Sequence, residues 1–137
     1  MNLLISIKEE YFRLIIEGKK KYEFRRKFVL ESCNAFIYIP RPICEIQGYI
    51  KFSKPIVGTP EVINELALSQ NLQEDSDVFE YLTGLAQGFA IPVSKVQTLL
   101  SPITLRFLRK KFNFFAPQSY IILDNKPELL EYLKKSL

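Results

Sequence analysis

The ten residues from Gly18 to Lys27 restrict the possible folds of this chain more than any other segment. Seven of the ten are charged, and six of those are cations. Alternate side chains of a strand share a face, so one predicted face carries Lys21, Glu23 and Arg25. The opposite face carries the two aromatic residues of the segment together with Arg26. Such a strand needs a core to cover its aromatic face. Its other face offers fixed donors and one acceptor to a nucleotide, a phosphate or a polar small molecule.

Composition limits the kinds of chemistry that are available. With 137 residues, of which 47% are hydrophobic, the chain is expected to form a single domain over 1–137 with an ample core. The chain has no histidine, which removes the commonest general base, the commonest metal ligand and every Ser-His or Cys-His catalytic pair. Cys33 and Cys44 lack metal-ligand spacing and are predicted to be buried free thiols. We expect no metal and no cofactor.

The charges are unevenly distributed along the chain. The formal net charge of +4 permits an anionic partner but does not demand one. Residues 1–27 hold eight of the nineteen cations, whereas 61–80 holds six carboxylates and no cation. A second basic cluster consists of Arg106, Arg109, Lys110 and Lys111. This pattern predicts a protein with a basic and an acidic side, although solvated surface charge explains it equally well.

Local patterns predict alternating strands and helices. The apolar run at 3–7 predicts a buried strand, and Ser6 with Glu9 predicts a capping box for a helix that ends at Gly18. Further strands are predicted at 21–26, 35–39, 43–52, 89–99 and 119–123, with a bulge at Gly48. A helical insertion is predicted at 59–86, capped by Thr59, a helix from Ser101-Pro102 to about Lys111, and a C-terminal helix at 125–137. The irregular order favours an α+β fold with a small mixed sheet or open barrel.

One motif resembles a known family. The pattern Gly18-x-Lys20-x-x-Glu23-x-Arg25 is similar to the signature of the ASCH domains, a branch of the PUA-like superfamily. The strand and proline turn at 37–40 also fit, and so does the Pro-Gln-Ser-aromatic segment at 117–120. The resemblance covers about 1–125. It implies a five- or six-stranded β-barrel with flanking helices and a ligand cleft beside the signature strand.

The resemblance also implies functions. The superfamily is associated with RNA binding and with recognition of modified bases. Some ASCH members are hydrolases: one group deacetylates N4-acetylcytidine with a lysine, a threonine and a glutamate, and others are linked to ribonuclease activity. Carried over to this chain, the lysine is Lys20 and the threonine position holds Glu23, so the hydroxyl is missing. The third carboxylate has no fixed position here, and the acidic run at 74–80 is only a candidate region.

These observations lead to a main hypothesis of a cytoplasmic module that binds RNA or a modified nucleotide. Lys20 and Arg25 would contact phosphate or a carbonyl, while Glu23 would accept from a base amino group, as glutamate does with cytosine. The structural alternative is a Glu23–Arg25 ion pair with no further role. By family analogy the cleft would also include Tyr38, Ser53, Lys54 and Gln118. Arg26 is expected at its rim, as a cation that contacts the ligand. The nucleic-acid patch would add Lys19, Lys21, Lys27, Arg106, Arg109, Lys110 and Lys111.

Two other classes of function stay open. The first is a small hydrolase acting on a nucleoside amide or on RNA, with Lys20 and Glu23 as its catalytic residues. The second is a protein-interaction domain that uses the acidic 61–80 segment, although the sequence names no protein partner. The phenylalanines at 112, 114 and 115 are predicted to be core rather than base-stacking groups. The carboxylates at 74–77 match no calcium loop and are predicted to be a solvated loop. No apolar run is long enough for a membrane helix, and we expect no membrane partner.

Overall fold

The computed structural model describes residues 1–137 and contains seven strands and five α-helices. The strands are β1 (Asn2–Ser6), β2 (Tyr22–Arg25), β3 (Cys33–Ile39), β4 (Glu45–Phe52), β5 (Ile56–Gly58), β6 (Gly88–Thr104) and β7 (Tyr120–Ile122). The helices are α1 (Glu9–Ile16), α2 (Pro60–Ser69), α3 (Val78–Tyr81), α4 (Leu105–Phe112) and α5 (Pro127–Lys134), with short 3-10 turns at Gln73–Asp75 and Leu123–Asn125. No helix exceeds ten residues, so none has the length and apolar character to cross a membrane.

The strands form one mixed sheet that curls into a half-barrel, in the order β2-β6-β4-β3-β1-β7, with β5 paired to β6. β1 and β3 are parallel, and the other pairs are antiparallel. The predicted α+β class is confirmed, although there are seven strands rather than five or six. β6 alone has seventeen residues and pairs with three other strands.

The apolar run of β1 is buried on both faces of the sheet. Leu3 and Ile5 join one core cluster, which includes Phe12 of α1. Leu4 joins a second cluster on the opposite face, where Leu108 of α4 and the apolar residues of α5 pack. This two-sided burial explains why the strand shows a continuous apolar run instead of an alternating one.

The predicted bulge at Gly48 is confirmed, because the pairing of β4 with β6 shifts register between Ile46 and Gly48. α1 crosses the sheet at this point. A Cβ atom on Gly48 would lie 2.2 Å from Cζ of Phe12 and 2.9 Å from the backbone oxygen of Gln97. The glycine therefore allows α1 to approach the sheet closely.

Three predicted helix starts differ from the structure. Ser6 is still part of β1, opposite Tyr38, and its hydroxyl donates to the Pro117 carbonyl at 2.6 Å, so the capping box is wrong. Residues 101–102 extend β6, and α4 begins only after Thr104, whose hydroxyl caps it by accepting from the Phe107 amide. The C-terminal helix begins at Pro127, because the residues before it form a 3-10 turn.

The 59–86 segment packs over the signature strand instead of lying on the opposite side. Thr59 caps α2 as predicted, by accepting from the Val62 amide. A third core cluster joins this segment to the sheet and contains Phe24, Ile63, Ala67, Val78, Leu82 and Ala90. The predicted division into a basic and an acidic side is therefore wrong at this point: the acidic segment covers the basic motif.

Candidate functional site

A cavity of about 270 Å³ lies between β2, the end of β1 and the residues that follow α2. The signature residues Lys20, Glu23 and Arg25 all line it. The acidic segment closes the opposite wall with Glu74, Asp75 and Asp77, and three aromatic rings contribute the apolar surface: Tyr11, Phe24 and Tyr81. The fold thus brings together the basic motif and the acidic run, which are about fifty residues apart in sequence.

The Lys20 ammonium is buried and paired. Its Nζ donates to both carboxylate oxygens of Asp75, at 2.8 and 3.0 Å, and the two residues are only 2% and 4% exposed. Nζ also lies 4.7 Å from the ring centre of Phe24 and 5.3 Å from that of Tyr11. A buried cation is tolerated only with such partners, because leaving water is costly. Asp75 is therefore not part of a solvated loop, and that prediction is wrong.

Gln70 fixes the Asp75 carboxylate relative to β2. Its Nε2 donates to Asp75 Oδ2 at 3.0 Å, while its Oε1 accepts from the backbone amides of Lys21 and Tyr22. One side chain of α2's C-terminal end thus joins the acidic turn to the start of the signature strand. Burial raises the pKa of the Asp75 carboxyl above its ordinary value, although the charge and hydrogen bonds of Lys20 act in the opposite direction.

Glu23 and Arg25 share one face of β2, as predicted, and form an ion pair. Both Nε and Nη2 of Arg25 donate to the same oxygen, Glu23 Oε2, at 3.1 and 2.7 Å. Nη2 also donates to the Ser6 carbonyl at 2.7 Å. Glu23 is 5% exposed, yet its other oxygen, Oε1, accepts no hydrogen bond and is not sealed from solvent. That oxygen is the acceptor that the cavity leaves available.

The rim of the cavity is aromatic and hydrogen-bonded. The Tyr11 hydroxyl donates to the Glu74 carbonyl at 3.3 Å. Burial, together with nearby carboxylates, raises the pKa of Tyr11, which keeps this hydroxyl protonated as a donor. Arg26 places its guanidinium 4.4 Å from the ring centre of Tyr81 and donates to that residue's carbonyl at 3.0 Å. Arg26 therefore holds the rim in place instead of lining the cavity.

Several predicted cleft residues lie elsewhere. Tyr38 is buried in the second core cluster beside Phe114, and burial raises its pKa to about 12. Ser53, Lys54 and Gln118 are exposed and do not line the cavity. Next to Gln118, the Ser119 carbonyl accepts from the Ser6 amide at 2.9 Å. This hydrogen bond holds the end of β1, which borders the cavity.

The predicted nucleic-acid patch separates into several places. Lys19 is exposed and lies 3.9 Å from Glu17, and Lys21 and Lys27 are exposed outside the cavity. Arg106, Arg109 and Lys110 line a separate depression. Lys111 lies on another side of α4, 4.8 Å from the ring centre of Tyr132.

The aromatic run at the end of α4, from Phe112 to Phe115, is only partly core. Phe114 is buried as predicted, and Phe112 is half-buried. Phe115 is 76% exposed, so the prediction that all three rings are core is wrong for it. Both cysteines are free, with Cys33 buried and Cys44 half-buried. No group of three or more Cys, Asp and Glu side chains is arranged to hold a metal ion.

Sequence reasoning missed Asp75, Gln70, Tyr11 and Tyr81 as parts of the site. For Asp75 a signal existed, since a run of carboxylates without cations needs a partner from elsewhere in the chain. For Gln70 and the tyrosines there was none, because their roles depend on how α1 and the 59–86 segment pack around β2.

Comparison with known proteins gives a consistent assignment. No family model matches the chain. A protein of Zymomonas mobilis named ASCH domain-containing ribonuclease is 27% identical over 119 residues, which cover 85% of this chain and 80% of the relative. The crystal structure of ASCH from Zymomonas mobilis superposes with a TM-score of 0.77 at 24% identity, covering 95% of this chain and 94% of that one. A serine-to-alanine variant of that protein gives 0.78 at 22% identity, with 96% and 95% covered. The chain is thus similar to ASCH proteins of Zymomonas mobilis in sequence and in fold, which supports the resemblance of its signature motif to that of the ASCH domains.

Proposed function

We propose that this protein is a single-domain RNA-binding module whose cavity receives one base, ordinary or modified, of an RNA chain. The observation that carries the proposal is the free Oε1 of Glu23, held in position by Arg25 and facing a cavity bordered by aromatic rings. An exocyclic amino group, such as that of cytosine, is the natural donor to a fixed carboxylate oxygen. Bases splayed out of single-stranded RNA are recognised in this way, by stacking and by hydrogen bonds to their edges.

The electrostatics of the cavity favour a base over a phosphate. Lys20 and Arg25 are already neutralised by Asp75 and Glu23. In total the lining contains three cations, Lys8, Lys20 and Arg25, against four carboxylates. A phosphate would meet more negative than positive charge there, so the expectation that Lys20 and Arg25 contact phosphate is not part of the proposal.

The size of the cavity also favours a single base. Its volume of about 270 Å³ lies just below the range of roughly 300–1,000 Å³ that is usual for sites of drug-sized ligands. A site of this size accepts a planar ring system but not a stacked duplex. The Zymomonas mobilis relative, by its name a ribonuclease, supports RNA as the class of ligand.

Titration calorimetry with cytidine and uridine tests the proposal. Wild-type protein should prefer cytidine, because only cytidine presents an amino group to Glu23. Glu23→Gln should weaken cytidine binding by roughly 10- to 100-fold, since hydrogen bonds to charged groups contribute about 1.5–3 kcal/mol. Glu65→Gln removes an exposed, unpaired carboxylate of α2 and should leave the affinity unchanged. Equal binding of cytidine by wild type and Glu23→Gln, with equal melting temperatures, would exclude Glu23 as the acceptor.

A hydrolase is the second candidate, and the buried Lys20–Asp75 pair beside Glu23 favours it. In this alternative Glu23 Oε1 accepts the proton of an attacking hydroxyl, from water or from the RNA 2′ position, as that oxygen bonds to the phosphorus or acyl carbon. The same carboxyl then returns the proton to the leaving oxygen or nitrogen as the phosphodiester or amide bond breaks, while Lys20 stabilises developing negative charge. Loss of turnover in Glu23→Gln with RNA binding retained would support it. Absence of turnover over a panel of RNAs and N-acylated nucleosides would leave the binding function alone.

A further inference from the structure

The ends of three strands meet at one edge of the sheet, next to the cavity. β1 and β3 run parallel with Ser6 opposite Tyr38, so Lys8 and the loop 40–44 emerge side by side. β6 ends at Thr104, opposite the first residue of β4, and α4 begins there. The Leu105 amide donates to the Cys44 carbonyl at 2.9 Å, which fixes loop 40–44 against the start of α4.

Two shallow depressions continue from the cavity along this edge. The first shares Lys8 with the cavity and is lined also by Arg41 and Ile43. The second shares Ile43 with the first and is lined by three cations of α4: Arg106, Arg109 and Lys110. Because each shares a residue with the next, the cavity and the two depressions form one row of neighbouring openings that reaches α4. We call its five cations the basic track: Lys8, Arg41, Arg106, Arg109 and Lys110.

The cations of the basic track differ from Lys20 and Arg25 of the cavity in their exposure and in their lack of ion-pair partners. All five are exposed, and none forms a salt bridge. Two carboxylates lie at the first depression, but Glu9 is paired with Arg13 at 2.9 Å, which leaves Glu10 alone. No carboxylate lines the second depression. The track therefore presents unpaired positive charge, whereas Lys20 and Arg25 inside the cavity are paired with carboxylates.

We propose that the basic track binds the phosphates of the single-stranded RNA whose base enters the cavity. This inference rests on the proposed function and adds to it the surface on which the backbone of the RNA chain lies. The charges assign different roles to the cations: Arg25 holds Glu23 for base recognition, and the unpaired cations of the track neutralise the backbone. Phosphate contacts of this kind fix the register of the strand and carry no sequence information.

A second role for these cations must be separated from RNA binding. Arg109 and Lys110 lie in the last turn of α4, where positive charge stabilises a helix C-terminus. Neutralising them could lower stability without any effect on RNA. The experiment therefore measures stability and affinity on the same variants.

The test measures binding of a fluorescein-labelled, random-sequence, single-stranded RNA oligonucleotide by anisotropy over about 50–200 mM salt. The triple variant Arg106→Gln, Arg109→Gln, Lys110→Gln should bind this oligonucleotide at least tenfold more weakly at low salt. Its plot of log affinity against log salt should be shallower by about 2, since each phosphate contact contributes about 0.7 for a single strand. Cytidine binding should not change.

The matched control is the triple variant Lys51→Gln, Lys95→Gln, Lys134→Gln. It removes the same charge from exposed lysines that form no salt bridge and lie off the track. This control should keep more of the wild-type affinity and slope than the track variant. Equal losses in the two triple variants would overturn the basic track, because net charge alone would then explain binding.

Other outcomes separate this inference from the proposed function. If the track variant binds the oligonucleotide like wild type while Glu23→Gln does not, the proposed phosphate binding by the track is excluded and base recognition by Glu23 is retained. If the track variant loses binding while Glu23→Gln retains it, phosphate binding by the track is supported and base recognition by Glu23 is excluded. A wild-type protein that binds no oligonucleotide at any salt overturns both.

Discussion

Lys20 and Asp75 lie 55 positions apart in the chain, yet Nζ of the lysine is 2.8 and 3.0 Å from the two carboxylate oxygens of the aspartate. Both residues are almost fully buried. The pair joins the signature segment to the 3-10 turn of the 59–86 segment, and Gln70 holds the same turn with a further hydrogen bond. The wall of the cavity is therefore attached to the sheet by buried polar bonds and not by apolar packing alone.

Removing only one partner of the Lys20–Asp75 pair should destabilise the folded protein. Lys20→Met leaves an unpaired carboxylate in the interior and should lower the free energy of unfolding by about 3–5 kcal/mol. The double variant Lys20→Met/Asp75→Leu removes both charges and should lie within about 1 kcal/mol of wild type or above it, since apolar replacements of buried pairs are often neutral or stabilising. Urea denaturation measures all three.

An exposed pair provides the control. Lys135 and Glu131 lie 3.5 Å apart on the surface of α5, and Lys135→Met should change stability by at most about 1 kcal/mol. A double variant as unstable as Lys20→Met would show that the pair contributes net stability instead of only avoiding an unpaired charge.

The pH dependence of stability should carry a contribution from Asp75 with a definite sign. Because the pKa of Asp75 is raised in the folded protein, folding favours its protonated form. Its contribution to stability is complete below the unfolded pKa of about 3.8 and is lost as the pH rises through the folded pKa. The unfolding free energy of wild type minus that of Asp75→Asn should therefore fall as the pH rises above about 4 and then level off. A difference that rises over this interval would mean that Lys20 outweighs burial.

The sequence predicts the strands better than it predicts the site. The run at 3–7, the alternation at 21–26 and the cap at Thr59 are local patterns, and local backbone preferences decide them. β6 extends past Ser101-Pro102 because pairing with β4 continues to Thr104, a long-range effect that cap residues do not reveal. The face shared by Glu23 and Arg25 follows directly from strand periodicity.

The environment of a charge depends on tertiary packing, and here prediction from sequence was least successful. Lys20 and Lys19 are adjacent cations in one basic run, yet one is buried and the other is exposed. Only the arrival of Asp75, which belongs to another segment, distinguishes them. Arg106 and Lys111 are likewise two cations of one helix with different surroundings. Lys111 lies over a ring because α5 places Tyr132 there.

The two cysteines should differ in reactivity. Burial raises the pKa of the Cys33 thiol to about 11, so that its reactive thiolate form is scarce at pH 8. Cys44 is more exposed and should be alkylated first by iodoacetamide, with the site read by mass spectrometry of the digested protein. Both thiols should react at similar rates in urea, which serves as the control. Faster labelling of Cys33 in the folded protein would contradict the burial of this thiol against β4.

Gly48→Ala should affect both stability and ligand binding, because one close contact positions the helix that borders the cavity. The new Cβ would overlap the Phe12 ring and crowd the Gln97 carbonyl, so α1 must move away from the sheet. Overpacking of this kind costs about 1–3 kcal/mol. α1 also carries Tyr11, whose ring lies beside the Lys20 ammonium, so cytidine affinity should fall together with stability.

Adding Phe12→Leu shortens the side chain that clashes most and should restore part of both losses, whereas Phe12→Leu alone should lower stability. For the single variants and the double variant, calorimetric melting measures stability and cytidine titration measures affinity. Full affinity in a destabilised Gly48→Ala would show that the position of α1 does not control the cavity.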